Sequence, residues 1–389
     1  MNTVPAPRPA PGPAEAVVAN PDLLALLGRT PLVRIGTALP CPQPGFWAKL
    51  EYLSAGGMKA RAAVSMLRGA RRRGELRPGA LVVESTSGTL GVGLAFAGQA
   101  LGHPVRLVCD GELEPSMRQL LRAHGAALEV VDRPASTGGW QAARLARVHE
   151  ILRGTPDAYW PDQYNNPDNP SGYASMAAEL VDGLEHVDVL VCSVGTGGHS
   201  AGLIGPLRRR WPALTVIGVD SVGSTIFGQP ARPRLMRGLG SSIHPRNVAH
   251  HAFDEVHWVG PAAAVDTCRR LARGSFVSGG WSTGAVALVA AWAARVHRGA
   301  TVVGVFPDGP HRYLGTVYDD DFCRTHGLDH AVVPTHPVEI LHPRAVEVAG
   351  WARCRRVDDP RPSRRTPAPP TPRAPMSAPA PKTATRGTA

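Results

Sequence analysis

Several features that would settle a function at once are missing. The six cysteines stand far apart at 41, 109, 192, 268, 323 and 354, with no Cys-x-x-Cys pair and no Cys/His cluster at metal-ligand spacing. No metal site is therefore expected, and the thiols read as reduced and mostly buried in a cytoplasmic protein. No apolar run reaches membrane-spanning length, and the N-terminus has no apolar signal core, so neither a membrane role nor export is expected. Aromatic residues make up only 5% of the chain and do not interleave with basic residues along a helix. That argues against a nucleic-acid partner despite a net charge of +11. The charge is also unevenly placed: residues 354–389 hold eight Lys/Arg against two Asp/Glu, which leaves the body only mildly basic. There is no internal repeat.

What remains is a 389-residue chain that is 43% hydrophobic, enough for two domains with their own cores. Many of the 38 prolines cluster at the ends, so 1–20 and 357–389 read as disordered Pro/Ala-rich and Pro/Arg-rich tails. Between them, short apolar runs alternate with amphipathic helical stretches. Strands are expected at Trp47–Tyr52, Ala80–Glu84, Pro104–Cys109, Leu128–Val131, Val187–Val194, Thr215–Val219, Glu255–Val259 and Thr301–Phe306. Unbroken Val/Ile/Leu strands separated by helices of ten or more residues imply an α/β fold with mostly parallel sheets covered on both faces. The turn-rich stretch at 155–172 suggests a domain boundary. The division expected is a larger α/β domain from 21–44 plus 161–350 and a smaller one from 45–160.

Chemistry concentrates at strand-to-helix junctions, where ligands of α/β folds sit. Lys59 follows the small-residue turn Ser54-Ala-Gly-Gly57 and opens a helical run. It is either a solvated first-turn lysine or a desolvated Schiff-base lysine. Glu84-Ser-Thr-Ser-Gly-Thr-Leu-Gly91 offers hydroxyls and first-turn N–H groups to a carboxylate. Ser193-Val-Gly-Thr-Gly-Gly-His199 can form a phosphate nest, yet it lacks the Lys-Ser/Thr ending of a P-loop and the spacing of a dinucleotide fingerprint. Gly279-Gly-Trp-Ser-Thr-Gly284 and Phe306-Pro-Asp-Gly309 also read as capped turns, with Ser282 an N-cap and Asp308 a turn residue.

Taken in order, these motifs resemble the fold-type-II pyridoxal-phosphate enzymes of the cysteine synthase family, over roughly 22–325. The family's Gly-x-Thr-Pro-Leu is similar to Gly28–Leu32, its lysine segment to Lys59-Ala-Arg61, its Thr-Ser-Gly loop to Thr86–Gly88 and its Gly-Thr-Gly-Gly loop to Gly195–Gly198. Gln163–Pro167, Ser282–Ala285 and Pro307–Leu314 match further motifs. Gly138-Gly-Trp140, Asp157–Tyr164, Asp220-x-x-Gly-Ser-x-Ile-Phe-Gly228 and Val317-Tyr318 resemble the branch making N-(2-amino-2-carboxyethyl)-L-glutamate, a precursor of diaminopropionate.

The resemblance implies pyridoxal 5′-phosphate as cofactor and Lys59 as its Schiff-base lysine and the Cα proton acceptor. It assigns Gly195, Thr196, Gly197, Gly198 and His199 to the cofactor phosphate, Ser282 to the pyridine nitrogen and Thr89 to the phenolic oxygen. Thr86, Ser87, Gly88 and Gln163 are then the carboxylate grip of a small amino-acid substrate, and a homodimer is expected. Four positions depart from the family pattern: Ala60 for Asp, Thr89 for Asn, Leu90 for Thr and His199 for Thr. The implied reaction is β-replacement on O-phosphoserine or O-acetylserine through an aminoacrylate, with an amine such as L-glutamate as acceptor. Two alternatives stay open: a cysteine synthase using sulfide, and a cofactor-binding but catalytically weak partner protein.

Overall fold

A computed structural model describes residues 22–86, 88–329 and 332–361. The expected N-terminal tail, residues 362–389 of the C-terminal one and candidate Ser87 lie outside the described residues. The chain runs β1 (Leu32–Ile35), β2 (Phe46–Leu50), α1 (Met58–Arg73), β3 (Val82–Ser85), α2 (Thr89–Leu101), β4 (Val105–Asp110), α3 (Pro115–Ala123), β5 (Ala127–Val131) and α4 (Gly139–Gly154). There follow α5 (Asp168–Ser171), α6 (Ala174–Gly183), β6 (Val189–Ser193), α7 (Gly198–Arg210), β7 (Thr215–Ser221), β8 (Glu255–Val259), α8 (Pro261–Ser275), α9 (Trp281–Val296), β9 (Val302–Phe306), α10 (Asp320–Thr325), β10 (Val338–Glu339) and β11 (Ala352–Cys354).

Eight strands form one sheet in the order β1-β2-β9-β6-β7-β8-β11-β10, and β3-β4-β5 form a second. The second sheet is parallel throughout. In the first, the central pairs are parallel, and antiparallel pairing enters only at β1/β2 and β11/β8. Central strand β6, Val-Leu-Val-Cys-Ser, is buried at every position, as a strand covered on both faces must be. Its neighbour α9 is apolar nearly all round and buried along its length, packing on β9 and β6.

Two expectations about boundaries need correction. Strand β2 belongs to the larger sheet, where it pairs with β1 and β9, so residues 46–50 are not part of the unit built on β3-β4-β5. The larger sheet also runs past 350, because β11 bonds to β8 through the Ala352–Cys354 register. The expected strand Trp47–Tyr52 ends at Leu50, where the chain turns into a short 3₁₀ segment, Glu51–Leu53. Strand β1 is unexpected from sequence: its burial is mixed, so no apolar run marks it. Five cysteines are buried, Cys41 is half-buried and all six are free thiols. Among the described residues, no helix is long and apolar enough to cross a membrane.

Candidate active site

The lysine is set in place by its neighbours before any ligand is considered. Arg61, one half-turn beyond it, is buried, and its guanidinium meets Glu51 Oε2 at 2.8 Å and Glu179 Oε1 at 2.8 Å. Glu51 in turn accepts from the Thr30 hydroxyl at 2.6 Å, and Lys49 donates to Glu179 at 2.5 Å. Buried charges survive only when paired, and removing one partner typically costs about 3–5 kcal/mol. The opening Gly28–Leu32 motif thus serves the lysine through Thr30. Gly28 itself has φ +83°, and a Cβ there would come within 2.9 Å of Glu179 Oε1. Arg61 therefore stitches the first turn of α1 to the 3₁₀ segment after β2 and to α6.

Lys59 and Thr89 line two adjoining hollows. The larger, about 780 Å³, adds Thr86, Gln163, Gly195 and Thr196. The smaller, about 170 Å³, adds Ser282, Asp308 and Arg312. The structure therefore gathers onto one lysine side chains separated by more than 200 positions in the chain. Leu90 lines the larger hollow as well, so an apolar side chain stands beside the carboxylate loop.

The phosphate-loop candidates divide into lining and support. Gly195 and Thr196 face the larger hollow, whereas Gly197, Gly198 and His199 are buried beside it at the start of α7. Gly197 has φ +80°, and a Cβ on it would lie 2.6 Å from the Val248 nitrogen. A Cβ on Gly198 would meet Asn169 Oδ1 at 2.0 Å. No acceptor among the described residues takes the N–H groups of Gly195, Thr196 or Gly197. His199 Nε2 is buried without a partner. Burial, helped by the nearby Lys59 charge, pushes the His199 pKa down to about 3, so the imidazole is neutral. These unsatisfied donors at a helix N-terminus fit an anionic phosphate.

Electrostatics at Lys59 favour a neutral amine. Burial lowers its pKa below the usual lysine value, Asp308 opposes that shift and Arg312 reinforces it. Asp308 accepts from Ser282 Oγ at 3.0 Å, from Thr283 Oγ1 at 3.2 Å and from the Tyr313 hydroxyl. Ser282 is thus a hydroxyl whose proton is directed to a carboxylate. On the carboxylate loop, Thr86 Oγ1 accepts from Gly88 N at 3.0 Å, and Gly88, at φ +143°, packs under Arg312. Gln163 is buried, with its amide 3.4 Å from the Ser85 carbonyl.

The sequence profile described as "Pyridoxal-phosphate dependent enzyme" matches residues 23–308. The chain belongs to this family. Over 306 residues it is 36% identical to an N-(2-amino-2-carboxyethyl)-L-glutamate synthase of Cupriavidus metallidurans, covering 77% of this chain and 90% of that relative. Among solved structures, an O-acetylserine dependent cystathionine β-synthase from Helicobacter pylori superposes with a TM-score of 0.71 at 28% identity, covering 77% of this chain and 99% of the other. A cysteine synthase from Entamoeba histolytica gives 0.73 at 25%, covering 80% and 94%. As a member of the pyridoxal-phosphate dependent enzymes the chain uses pyridoxal 5′-phosphate. Lys59, its pKa lowered by burial, and the Gly195–Gly197 N–H groups with the orphaned His199 Nε2 are the groups that fit its aldehyde and phosphate.

Reading the sequence overlooked several participants. Asp308 looks like a turn residue, yet it holds three hydroxyls and sets the field at Lys59. Arg312 was visible only as part of Pro307–Leu314. The segment 231–242, which walls the larger hollow, carries no motif at all. Trp140 and Tyr164 line that hollow too.

Proposed function

We propose that the protein catalyses β-replacement on an O-activated L-serine, O-phosphoserine or O-acetylserine, with an amine such as L-glutamate as acceptor, within diaminopropionate biosynthesis. The carrying observation is the meeting of desolvated Lys59 with Thr86 and Gln163 in one cavity large enough for a second amino acid. The extended similarity to an N-(2-amino-2-carboxyethyl)-L-glutamate synthase supports the choice of acceptor.

Bound pyridoxal 5′-phosphate supplies the electron sink for bond breaking at the substrate Cα. The chain's residues do the rest. The N-terminal end of α2, with Thr86, Ser87 and Gly88, and the Gln163 amide hold the substrate carboxylate. Lys59, whose pKa burial lowers, first anchors the cofactor and then takes the Cα proton. The Cβ–O bond breaks with its electron pair leaving on phosphate or acetate, and the acceptor nitrogen lone pair forms the new Cβ–N bond. Lys59 returns the proton to Cα. Gly195–Gly198 and His199 would hold the cofactor phosphate, Thr89 would serve its phenolic oxygen, and Ser282, bonded to Asp308, would serve its ring nitrogen.

A homodimer in the cytoplasm belongs to the same proposal, and sedimentation of the purified protein tests the assembly. The reaction is tested by mixing the loaded enzyme with O-phosphoserine or O-acetylserine and no acceptor. About one equivalent of phosphate or acetate per site is expected in a single rapid phase, with ping-pong kinetics once acceptor is added. Absence of that phase with both donors would leave the catalytically weak reading in its place.

A further inference from the structure

Four arginines line the larger hollow: Arg144, Arg232, Arg234 and Arg237. Three are neutralised on the spot. Arg144 pairs with Asp110, Arg232 with Glu347 and Arg237 with Glu112, with Asp110 a further 3.7 Å from Arg237. Arg234 differs. Among the described residues it forms no ion pair; its Nη1 donates to the Leu239 carbonyl at 2.9 Å and its Nη2 to Ser242 Oγ at 3.3 Å. The carboxylate acting on it from a distance, Asp220, is fully buried beneath the loop.

The loop that carries this guanidinium is also braced. The loop after β7 is closed on itself by Arg232 N to Gly223 O at 3.1 Å, Thr225 N to Ser241 O at 2.9 Å and Ser241 N to Ser224 Oγ at 3.0 Å. Gly223, at φ +88°, leaves space for the Arg234 stem, since a Cβ there would stand 3.0 Å from Arg234 Cγ. That gives Gly223-Ser224 within the Asp220–Gly228 motif a physical purpose: glycine admits the arginine stem and serine pins the loop. A second unsatisfied donor lines the same hollow, the Gln141 Nε2 amide in the first turn of α4, buried with no partner. A cation with no ion pair among the described residues and an orphaned amide donor in one cavity call for an anion.

We propose that Arg234, with the Gln141 amide beside the same cavity, recognises the distal carboxylate of the acceptor amino acid and makes the enzyme selective for an acidic acceptor. This rests on the β-replacement reading above and names its specificity-determining residue. Sulfide has no use for such a group.

The test compares L-glutamate with L-glutamine, acceptors of one shape that differ in the distal charge, on the loaded enzyme and on its Arg234→Gln and Arg234→Lys variants. For Arg234→Gln the KM for glutamate should rise roughly ten- to a hundredfold, the range a charge-assisted hydrogen bond supplies, while that for glutamine moves by less than about threefold. Arg234→Lys, which keeps the charge and loses the fork, should fall between. An equal rise for both acceptors would mean a structural role and overturn the proposal. So would a defect that appears in leaving-group release from O-phosphoserine but not from O-acetylserine, because the anion would then belong to the donor. Equilibrium dialysis of labelled glutamate and glutamine reads the same preference without turnover. A wild-type protein that turns nothing over but prefers glutamate through Arg234 would fault the reaction alone, and one that binds both alike would remove the subsite.

Discussion

Gly93 of α2 lies against the backbone of Lys59: a methyl group built on it would stand 2.8 Å from the Lys59 carbonyl carbon and 2.8 Å from the Ala60 nitrogen. The helix carrying the lysine and the helix behind the carboxylate loop therefore touch backbone to backbone, and the site's geometry depends on the missing side chain. Gly93→Ala should cost about 1–3 kcal/mol of stability through overpacking. It should also push the first turn of α1 away from α2. Thermal denaturation reads the first effect. Loss of bound pyridoxal 5′-phosphate during gel filtration reads the second, and full retention of both stability and cofactor would refute the close contact.

The field at Lys59 is the sum of burial, Asp308 and Arg312, which leads to a signed prediction. Asp308 raises the lysine pKa, so Asp308→Asn should lower it further. The pH dependence of cofactor uptake by the apoprotein reads this directly, because only the neutral amine is nucleophilic. In Asp308→Asn the acid limb of uptake should move to lower pH, and a shift to higher pH would contradict the assignment. The variant should also melt earlier, since the Ser282, Thr283 and Tyr313 hydroxyls lose a charged acceptor.

Glu84 sits behind the carboxylate loop, buried, accepting from Ser85 N at 2.8 Å and Trp160 Nε1 at 3.0 Å. Burial outweighs these bonds and pushes its pKa up to about 7. The folded state thus binds a proton that the unfolded chain releases near the usual carboxylate value. That contribution is fully present at acid pH below about 4.5 and is lost as pH rises through about 7. Across that window the wild type should lose roughly 3 kcal/mol relative to Glu84→Gln, which does not titrate there. Urea denaturation of both proteins at several pH values measures the difference. A gap that does not change with pH would show that Glu84 is ionised throughout.

Arg61 supports the site without entering it. Arg61→Ala leaves Glu51 buried beside the lysine segment, with the Thr30 hydroxyl and the Lys49 ammonium as its remaining side-chain partners among the described residues. About 3–5 kcal/mol of stability should go with it. Arg61→Ala combined with Glu51→Gln should cost less than the sum of the two single changes, because they share one interaction. Strict additivity in a double-mutant cycle would contradict the buried pair.

Much of this was legible in the chain because burial on both faces leaves unbroken apolar strands. Val189–Ser193, Glu255–Val259 and Val302–Phe306 stand where the apolar runs placed them. Lys59, Thr86, Gly195 and Ser282 converge because each follows a strand or opens a helix at the ligand end of a sheet, and Gln163 joins them from the turn-rich connection before α5. What stayed hidden depends on pairing over long distances. Strand β2 follows a turn and looks like the start of a new unit, but its hydrogen bonds go to β9, some 250 residues later. Asp308 looks like any Pro-Asp turn until Ser282 and Tyr313 are seen to point at it. Arg234 stands in a stretch with no period and no motif, and only the pairing of its three neighbours sets it apart.

The central claim is best tested by what the enzyme makes. Loaded protein given O-phosphoserine or O-acetylserine together with L-glutamate should release phosphate or acetate and yield, by mass spectrometry, an adduct of glutamate with the three-carbon serine unit joined through nitrogen. Lys59→Ala should yield none. Cysteine formed from added sulfide, with no glutamate adduct under the same conditions, would contradict the account and make the protein a cysteine synthase.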